Sequence, residues 1–190
     1  MYKTLVRTHL DYASSVWFPY KKRHVELLEG VQRRATKQIP GMKNLSYEER
    51  LRKLKLPTLK YRRNRGDMIE VFKIISKKYD PEASNFIMLR KDHTERETNR
   101  GNTKKLLVQR PRLNIRKYSF SVRVTHLWNS LPESVVSAKT LNTFKNRLDK
   151  FWQHQDIVYD YTAEFRIDTG SHSYNSSLYN NLLESSEEDK

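Results

Sequence analysis

The chain has 190 residues, with 37 Lys plus Arg against 22 Asp plus Glu and a formal net charge of +15, a balance that points to nucleic acid or an anionic membrane surface as partner. This length holds one ordinary domain with or without tails, and a hydrophobic share of 36% with a mean hydropathy of −0.87 leaves part of the chain outside any core. With 0 Cys and 5 Gly there is no disulfide framework, thiolate zinc site or cysteine nucleophile, and neither GxGxxG nor GxxxxGK followed by Ser or Thr occurs.

Residues 2–18 place Leu5, Val6, His9, Leu10, Tyr12, Ala13, Val16 and Trp17 at spacings of three and four, which predicts one helix with a broad apolar face that Pro19 stops. A second helix over about 22–39 carries Leu27, Val31, Ala35 and Ile39 as its stripe, opposite a basic side, and ends at Pro40-Gly41. Ser46 and Glu49 form a capping box for a short helix to about Leu54. Thr58 can cap a long helix to about Lys78 with Tyr61, Met68, Phe72, Ile75 and Tyr79 on one face. Arg62, Arg63 and Arg65 crowd its first turns against the helix dipole, which suggests another use for them. The run LLVQRPRLNIRKYSFSVRV predicts an extended hairpin or irregular arm, then a helix over about 119–130 presenting Phe120, Val124, Leu127, Trp128 and Leu131. Thr140 caps a last helix with Leu141, Phe144, Leu148, Phe151 and Trp152 facing inward. The expected fold is mainly α, five to six helices with a short arm.

Charge divides the chain further. Residues 1–80 carry 20 basic and 8 acidic side chains, 81–155 carry 15 and 6, and 156–190 carry 2 and 8. The expected organisation is an N-terminal helical part (1–80), a polar linker (81–103), an arm with C-terminal helices (104–155) and an acidic, disordered tail (156–190) that is either solvating or docked on the basic body. The N-terminus is too polar for a signal peptide and no stretch approaches the ~18 apolar residues of a membrane span, so a soluble, intracellular chain is expected, without a membrane partner.

Catalysis finds little support. There is no Asp-Asp or Asp-x-Asp pair to hold hard cations, no HExxH, no i, i+4 pairing among the 6 His, and no GxSxG. His9 and His126 fall in apolar stripes and are expected in the core, as are Trp17, Trp128 and Trp152. The residues describe a binding module with no metal, cofactor or small-molecule substrate.

Four blocks, LVRTHLDYASSVWFPY, ELLEGVQRRATKQIPG, LSYEERLRKLKLPTLKYRRNRGDMIEVFKII and FSVRVTHLWNSLPESVVSAKTLNTFKNRLDKFW, together resemble the region following the polymerase core in reverse transcriptase polyproteins of non-LTR retrotransposons, the jockey-like and related LINE elements. The resemblance spans Leu5 to Trp152. It implies a C-terminal fragment of an RNA-directed DNA polymerase whose catalytic aromatic-x-Asp-Asp motif and endonuclease belong upstream, so neither activity is carried over.

Basic clusters and resemblance meet on nucleic acid. Arg33, Arg34 and Lys37 on the second helix, Arg62, Arg63 and Arg65 on the fourth, and Arg110, Arg112, Arg116 and Lys117 on the arm with Tyr118 among them are the candidate contacts. Guanidinium groups pair with phosphates and an aromatic stacks on an unpaired base. The three clusters are expected to form a track for RNA, an RNA–DNA hybrid or DNA, held by phosphate contacts with little base readout. The rival expectations are a scaffolding module docking on the polymerase core of the parent polyprotein, or a remnant with no function.

Overall fold

The computed structural model describes residues 2–79, 82, 85, 87–92 and 102–167. The expected linker falls largely outside the described residues, and so do residues 168–190 of the expected tail. In chain order the helices are α1 (Arg7–Asp11), α2 (Ser14–Trp17), α3 (Lys22–Lys37), α4 (Tyr47–Leu54), α5 (Leu59–Ile75), α6 (Asn114–Lys117), α7 (Phe120–Asn129), α8 (Glu133–Val136) and α9 (Leu141–Trp152), with a π turn at Tyr2–Val6 and 3-10 turns at Arg90–Asp92 and Asp156–Val158. The protein is mainly α, and the described residues contain no strand, only an antiparallel bridge between Leu89 and Leu106.

Three of these helices start where a side chain caps the first turn. The Ser46 hydroxyl accepts the Glu49 N–H at 3.3 Å while the Glu49 carboxylate accepts the Ser46 N–H at 2.7 Å, closing the capping box of α4. These bonds hold the Glu49 carboxyl below its usual range. Thr58 and Thr140 accept the Tyr61 and Thr143 N–H groups, each at 3.1 Å, at the heads of α5 and α9. The long helix ends at Ile75, short of Lys78, because Lys77 takes a left-handed φ of 52°.

Helix α5 is the axis of the molecule. Its buried face (Tyr61, Met68, Val71, Phe72) meets Val124 and Trp128 of α7, Phe144, Leu148 and Trp152 of α9, and Val135 and Val136 of α8 in one core. Phe72 stacks on Phe144 with centroids 4.3 Å apart, and Trp128 lies 5.8 Å from the same ring. Fully burying one such side chain stabilises the fold by about 1.5–3 kcal/mol, so this aromatic knot decides how the N-terminal and C-terminal parts join. A smaller group of Met42, Leu51, Leu56 and Leu59 is buried beside it.

The first eighteen residues depart from the expected single helix. Tyr12 is extended and Ala13 takes φ 49°, so the segment breaks into α1 and α2. The Trp17 indole donates to the Tyr12 carbonyl at 2.6 Å, satisfying an oxygen that a continuous helix would have bonded itself. The break lets Asp11 reach Arg62 while Ser14 comes within 3.9 Å of where a Cβ on Gly66 would stand. The expected apolar face is not a core face: Leu5, Tyr12 and Val16 are exposed and Trp17 is 38% exposed, whereas Trp128 and Trp152 are buried as expected. Both His9 and His126 are exposed, correcting their expected place in the core.

The second correction concerns α3. Leu27, expected in its apolar stripe, is 68% exposed, and the fully buried side chains of the helix are Glu29, Gln32 and Thr36. They are buried because they satisfy one another's neighbours. The Tyr47 hydroxyl donates to Glu29 at 2.7 Å, the Lys60 N–H donates to the same carboxylate at 2.9 Å, and Gln32 donates to Tyr47 and to the Pro57 carbonyl, each at 3.1 Å, while accepting from the Tyr2 hydroxyl at 2.8 Å. Burial raises the Glu29 carboxyl above its usual range and pushes the Tyr2 hydroxyl up to about 12.

The third correction moves the start of the acidic tail. Residues 156–167 form a strap on the body: Ile157 is fully buried, its carbonyl accepts from the Thr58 hydroxyl at 2.7 Å, and the Val158 carbonyl accepts the Thr58 N–H at 2.8 Å. Phe165 packs 4.5 Å from Trp152, and Lys60 pairs with Glu164 at 2.6 Å. Of the two tail readings, docking on the basic body holds for this stretch.

Candidate nucleic-acid interface

The three arginines at the head of α5 turn into the protein. Arg62 donates to Asp11 at 2.6 and 3.1 Å, and Arg65 grips Asp149 with two bonds of 2.5 and 2.7 Å, which hold its pKa up. Arg63 is buried, its guanidinium carbon 5.5 Å from the Trp17 ring, with Nε and Nη2 lacking a hydrogen-bond partner. Burial lowers its pKa, opposed chiefly by the field of Glu29. The dipole-opposing charge therefore has an internal use. Arg63 is removed from the expected track, because a buried guanidinium cannot reach a phosphate, while Arg62 and Arg65 stay partly exposed but are each held by a carboxylate. Close by, Arg123 pairs with Asp67 at 3.1 Å, both nearly buried, and the Asp67 carboxyl is pushed up to about 6 by burial that Arg123 only partly offsets.

On α3 the expected cluster divides. Arg33 donates to the Tyr161 hydroxyl at 2.8 Å and lies 5.4 Å from the rings of both Tyr47 and Tyr161, tying it to the strap. Arg34 is a hundred degrees further round the helix; with Lys37 and Arg23 it forms an outer stripe, all exposed. Arg34 and Lys37 have no ion pair among the described residues.

The arm is held at its base by α7 and at its far end by the Tyr118 ring on Tyr20. The Trp128 indole donates to the Lys104 carbonyl at 2.8 Å, Asn129 bonds both the N–H and the carbonyl of Leu106 at 2.7 and 3.0 Å, and the Asn102 amide donates to the Leu131 carbonyl at 2.9 Å. Of the expected hairpin or irregular arm, the described residues form the irregular one: no ladder forms within 106–124, Pro111 cannot donate to one, the turn α6 (Asn114–Lys117) interrupts the run, and the bridge of Leu106 is to Leu89, outside it. Arg110, Arg112 and Arg116 are exposed, and their guanidinium groups make no ion pair or hydrogen bond among the described residues. Lys117 is half-buried 5.4 Å from the Tyr118 ring, and burial lowers its pKa.

Tyr118 stacks flat on Tyr20, with centroids 4.1 Å apart and planes 9° from parallel. Tyr20 immediately precedes α3, so the stack sets the end of the arm beside exposed Lys21, Lys22 and Arg23. Arg34 and Lys37 lie further along the same helix, about 18–22 Å from its start at 1.5 Å per residue. Sequence reasoning missed Tyr20 and the basic run after it; Tyr-Lys-Lys-Arg ahead of a helix was the available signal, and only the fold places it against Tyr118.

Chemically the arrangement offers exposed cations (Lys21, Lys22, Arg23 and Arg116) around a pair of flat rings, suited to phosphates and to a π face. Among the described residues no three His, Asp or Glu side chains gather as a metal site, and no helix is long and apolar enough to cross a membrane. Comparison with protein-family models, with curated proteins and with solved structures finds no significant match for this chain.

Proposed function

We propose that the chain is a non-catalytic nucleic-acid-binding module, acting inside the cell, that holds RNA, an RNA–DNA hybrid or DNA by phosphate contacts from the arm and the outer stripe of α3. The observation that carries this reading is the set of exposed guanidiniums Arg110, Arg112 and Arg116, without a partner among the described residues and joined through the Tyr118–Tyr20 stack to the basic start of α3. A surface that pairs Arg62 and Arg65 internally and leaves these guanidiniums without a partner among the described residues keeps them available for an external polyanion. The likeness of four blocks to the post-polymerase region of LINE-type reverse transcriptases supports the same reading and makes a template strand or hybrid the natural ligand.

The test is fluorescence anisotropy of the full chain with labelled single-stranded RNA, RNA–DNA hybrid and duplex DNA across a salt series. Sequence-independent binding that weakens steeply with salt is expected. A folded protein that binds none of the three at about 50 mM salt refutes it, since phosphate-driven binding is strongest there.

A second reading has its own observation. Leu5, Tyr12, Val16 and Leu27 are exposed at 59, 78, 83 and 68%, and a hollow of about 260 Å³ is lined by Tyr2, Lys3, Ala35, Thr36, Ile39, Leu54 and Leu56. In that reading the N-terminal helices dock on a protein partner, such as a polymerase core. Coexpression with such a core, followed by co-purification that Val16→Glu with Leu27→Glu abolishes, is its expected result.

A further inference from the structure

We infer that Tyr20, backed by Tyr118, is a stacking platform for one unpaired base of a single strand, with Lys21, Arg112 and Arg116 taking the neighbouring phosphates. The inference rests on the nucleic-acid reading above and adds the form of strand that is gripped and the ring that grips it.

Two planar rings 4.1 Å apart and 9° from parallel form a rigid two-layer block. One face of Tyr20 is closed by Tyr118, yet Tyr20 remains 39% exposed, so its open area lies on the opposite face and the rim. A base can extend the stack on that face without parting the tyrosines. The Lys21 ammonium already stands 6.0 Å from the Tyr20 centroid, where the quadrupole of the ring draws a cation. A base taking that face would shift the ammonium to its rim, beside the phosphate of the same nucleotide.

The electrostatic setting favours an anion from both sides. The two stretches that build the platform, residues 12–25 and 102–132, contain no acidic residue. The carboxylate near the base of the site, Asp67, is buried and matched by Arg123, whose guanidinium also donates to the Tyr118 carbonyl at 3.3 Å. The guanidinium groups of Arg112 and Arg116 have no partner among the described residues. A duplex keeps its base faces inside its own stack and offers this site only phosphates, whereas an unpaired base of any identity has a π face to give.

The experiment compares wild type, Tyr20→Leu and Tyr20→Phe, each in the full chain and each checked by circular dichroism, for affinity to single-stranded RNA and to a blunt RNA–DNA hybrid. Tyr20→Leu is expected to lose about tenfold to a hundredfold in single-strand affinity, the range for one lost base stack. Hybrid affinity and the salt slope stay unchanged, and Tyr20→Phe behaves as wild type. A strand carrying 2-aminopurine should be quenched by wild type and Tyr20→Phe and not by Tyr20→Leu. Equal single-strand affinity for wild type and folded Tyr20→Leu overturns the platform while salt-dependent binding leaves the phosphate reading standing. An equal loss on both ligands also overturns it, since the ring would then act through the fold. If Tyr20→Leu does not fold, the wild-type and Tyr20→Phe quenching alone decides, and its absence overturns the platform. No binding of either ligand by wild type overturns both.

Discussion

Replacing Ile157 by Ala tests whether the acidic C-terminal strap is part of the folded body. The side chain has 0% exposure within the core that also holds Tyr61, Phe72 and Trp152, and its backbone carbonyl is fixed by Thr58. Removing the branched side chain while the neighbours keep their places takes away its transfer energy and leaves a cavity, together about 2–5 kcal/mol. Against a total stability of about 5–15 kcal/mol for a protein of this kind, that is a large fraction. A chain of this size should lose roughly 2–4 °C of melting temperature per kcal/mol. Urea unfolding followed by the fluorescence of Trp128 and Trp152, both buried, should move to a lower midpoint with an unchanged slope. A variant within about 0.5 kcal/mol of wild type, the usual range for surface substitutions, would refute the packing of the strap and return residues 156–167 to a solvated tail.

Three further outcomes follow from the buried polar groups. Asp67→Ala leaves the Arg123 guanidinium buried without its carboxylate and should destabilise the protein by about 3–5 kcal/mol in denaturant titration; a loss below about 1 kcal/mol would mean the pair is solvated. Arg63→Met removes two buried N–H groups that lack partners and keeps the contact with Trp17, so it should be neutral or stabilising by about 1–3 kcal/mol; strong destabilisation would reveal an essential partner for the guanidinium. Glu29 has its carboxyl pKa raised by burial, so its contribution to stability is present below the unfolded pKa and is lost as pH rises through the folded one. Glu29→Gln can keep accepting the Lys60 N–H, and its stability relative to wild type should therefore increase from pH 4 to pH 7; a flat or opposite trend in matched melting curves would contradict the assignment.

What the sequence disclosed was what local chemistry decides. Ser46 with Glu49, Thr58 and Thr140 mark their helices because each cap closes within three residues, and the stripes of α7 and α9 fix the inward face at Val124, Trp128, Phe144, Leu148 and Trp152, whereas Phe151, expected in the same stripe, sits at its edge and is 45% exposed. What it hid depends on partners far along the chain. Arg62 and Arg65 look like a surface cluster until Asp11 and Asp149, 51 and 84 residues away, are seen to bind them. The inner face of α3 is polar because Tyr2, Tyr47, Pro57 and Lys60 converge on Glu29 and Gln32, and a rule that seeks apolar periodicity assigns the wrong side. The strap escaped for a similar reason: Ile157 and Phe165 anchor it within an acidic composition, and two anchors make no period. For the candidate interface, the arm cations and Tyr118 were legible as residues, and the pairing with Tyr20 was not.

The central claim is that the partnerless arm arginines carry phosphate binding and the paired α5 arginines do not. The most direct measurement is the salt dependence of single-stranded RNA affinity for wild type beside the triple variant Arg110→Ala, Arg112→Ala, Arg116→Ala in the full chain. Each lost phosphate contact on a single strand removes about 0.7 from the slope of log affinity against log salt, so the triple variant should be shallower by about 2. A slope equal to that of wild type, with RNA still bound, would place the phosphate contacts elsewhere and contradict the account.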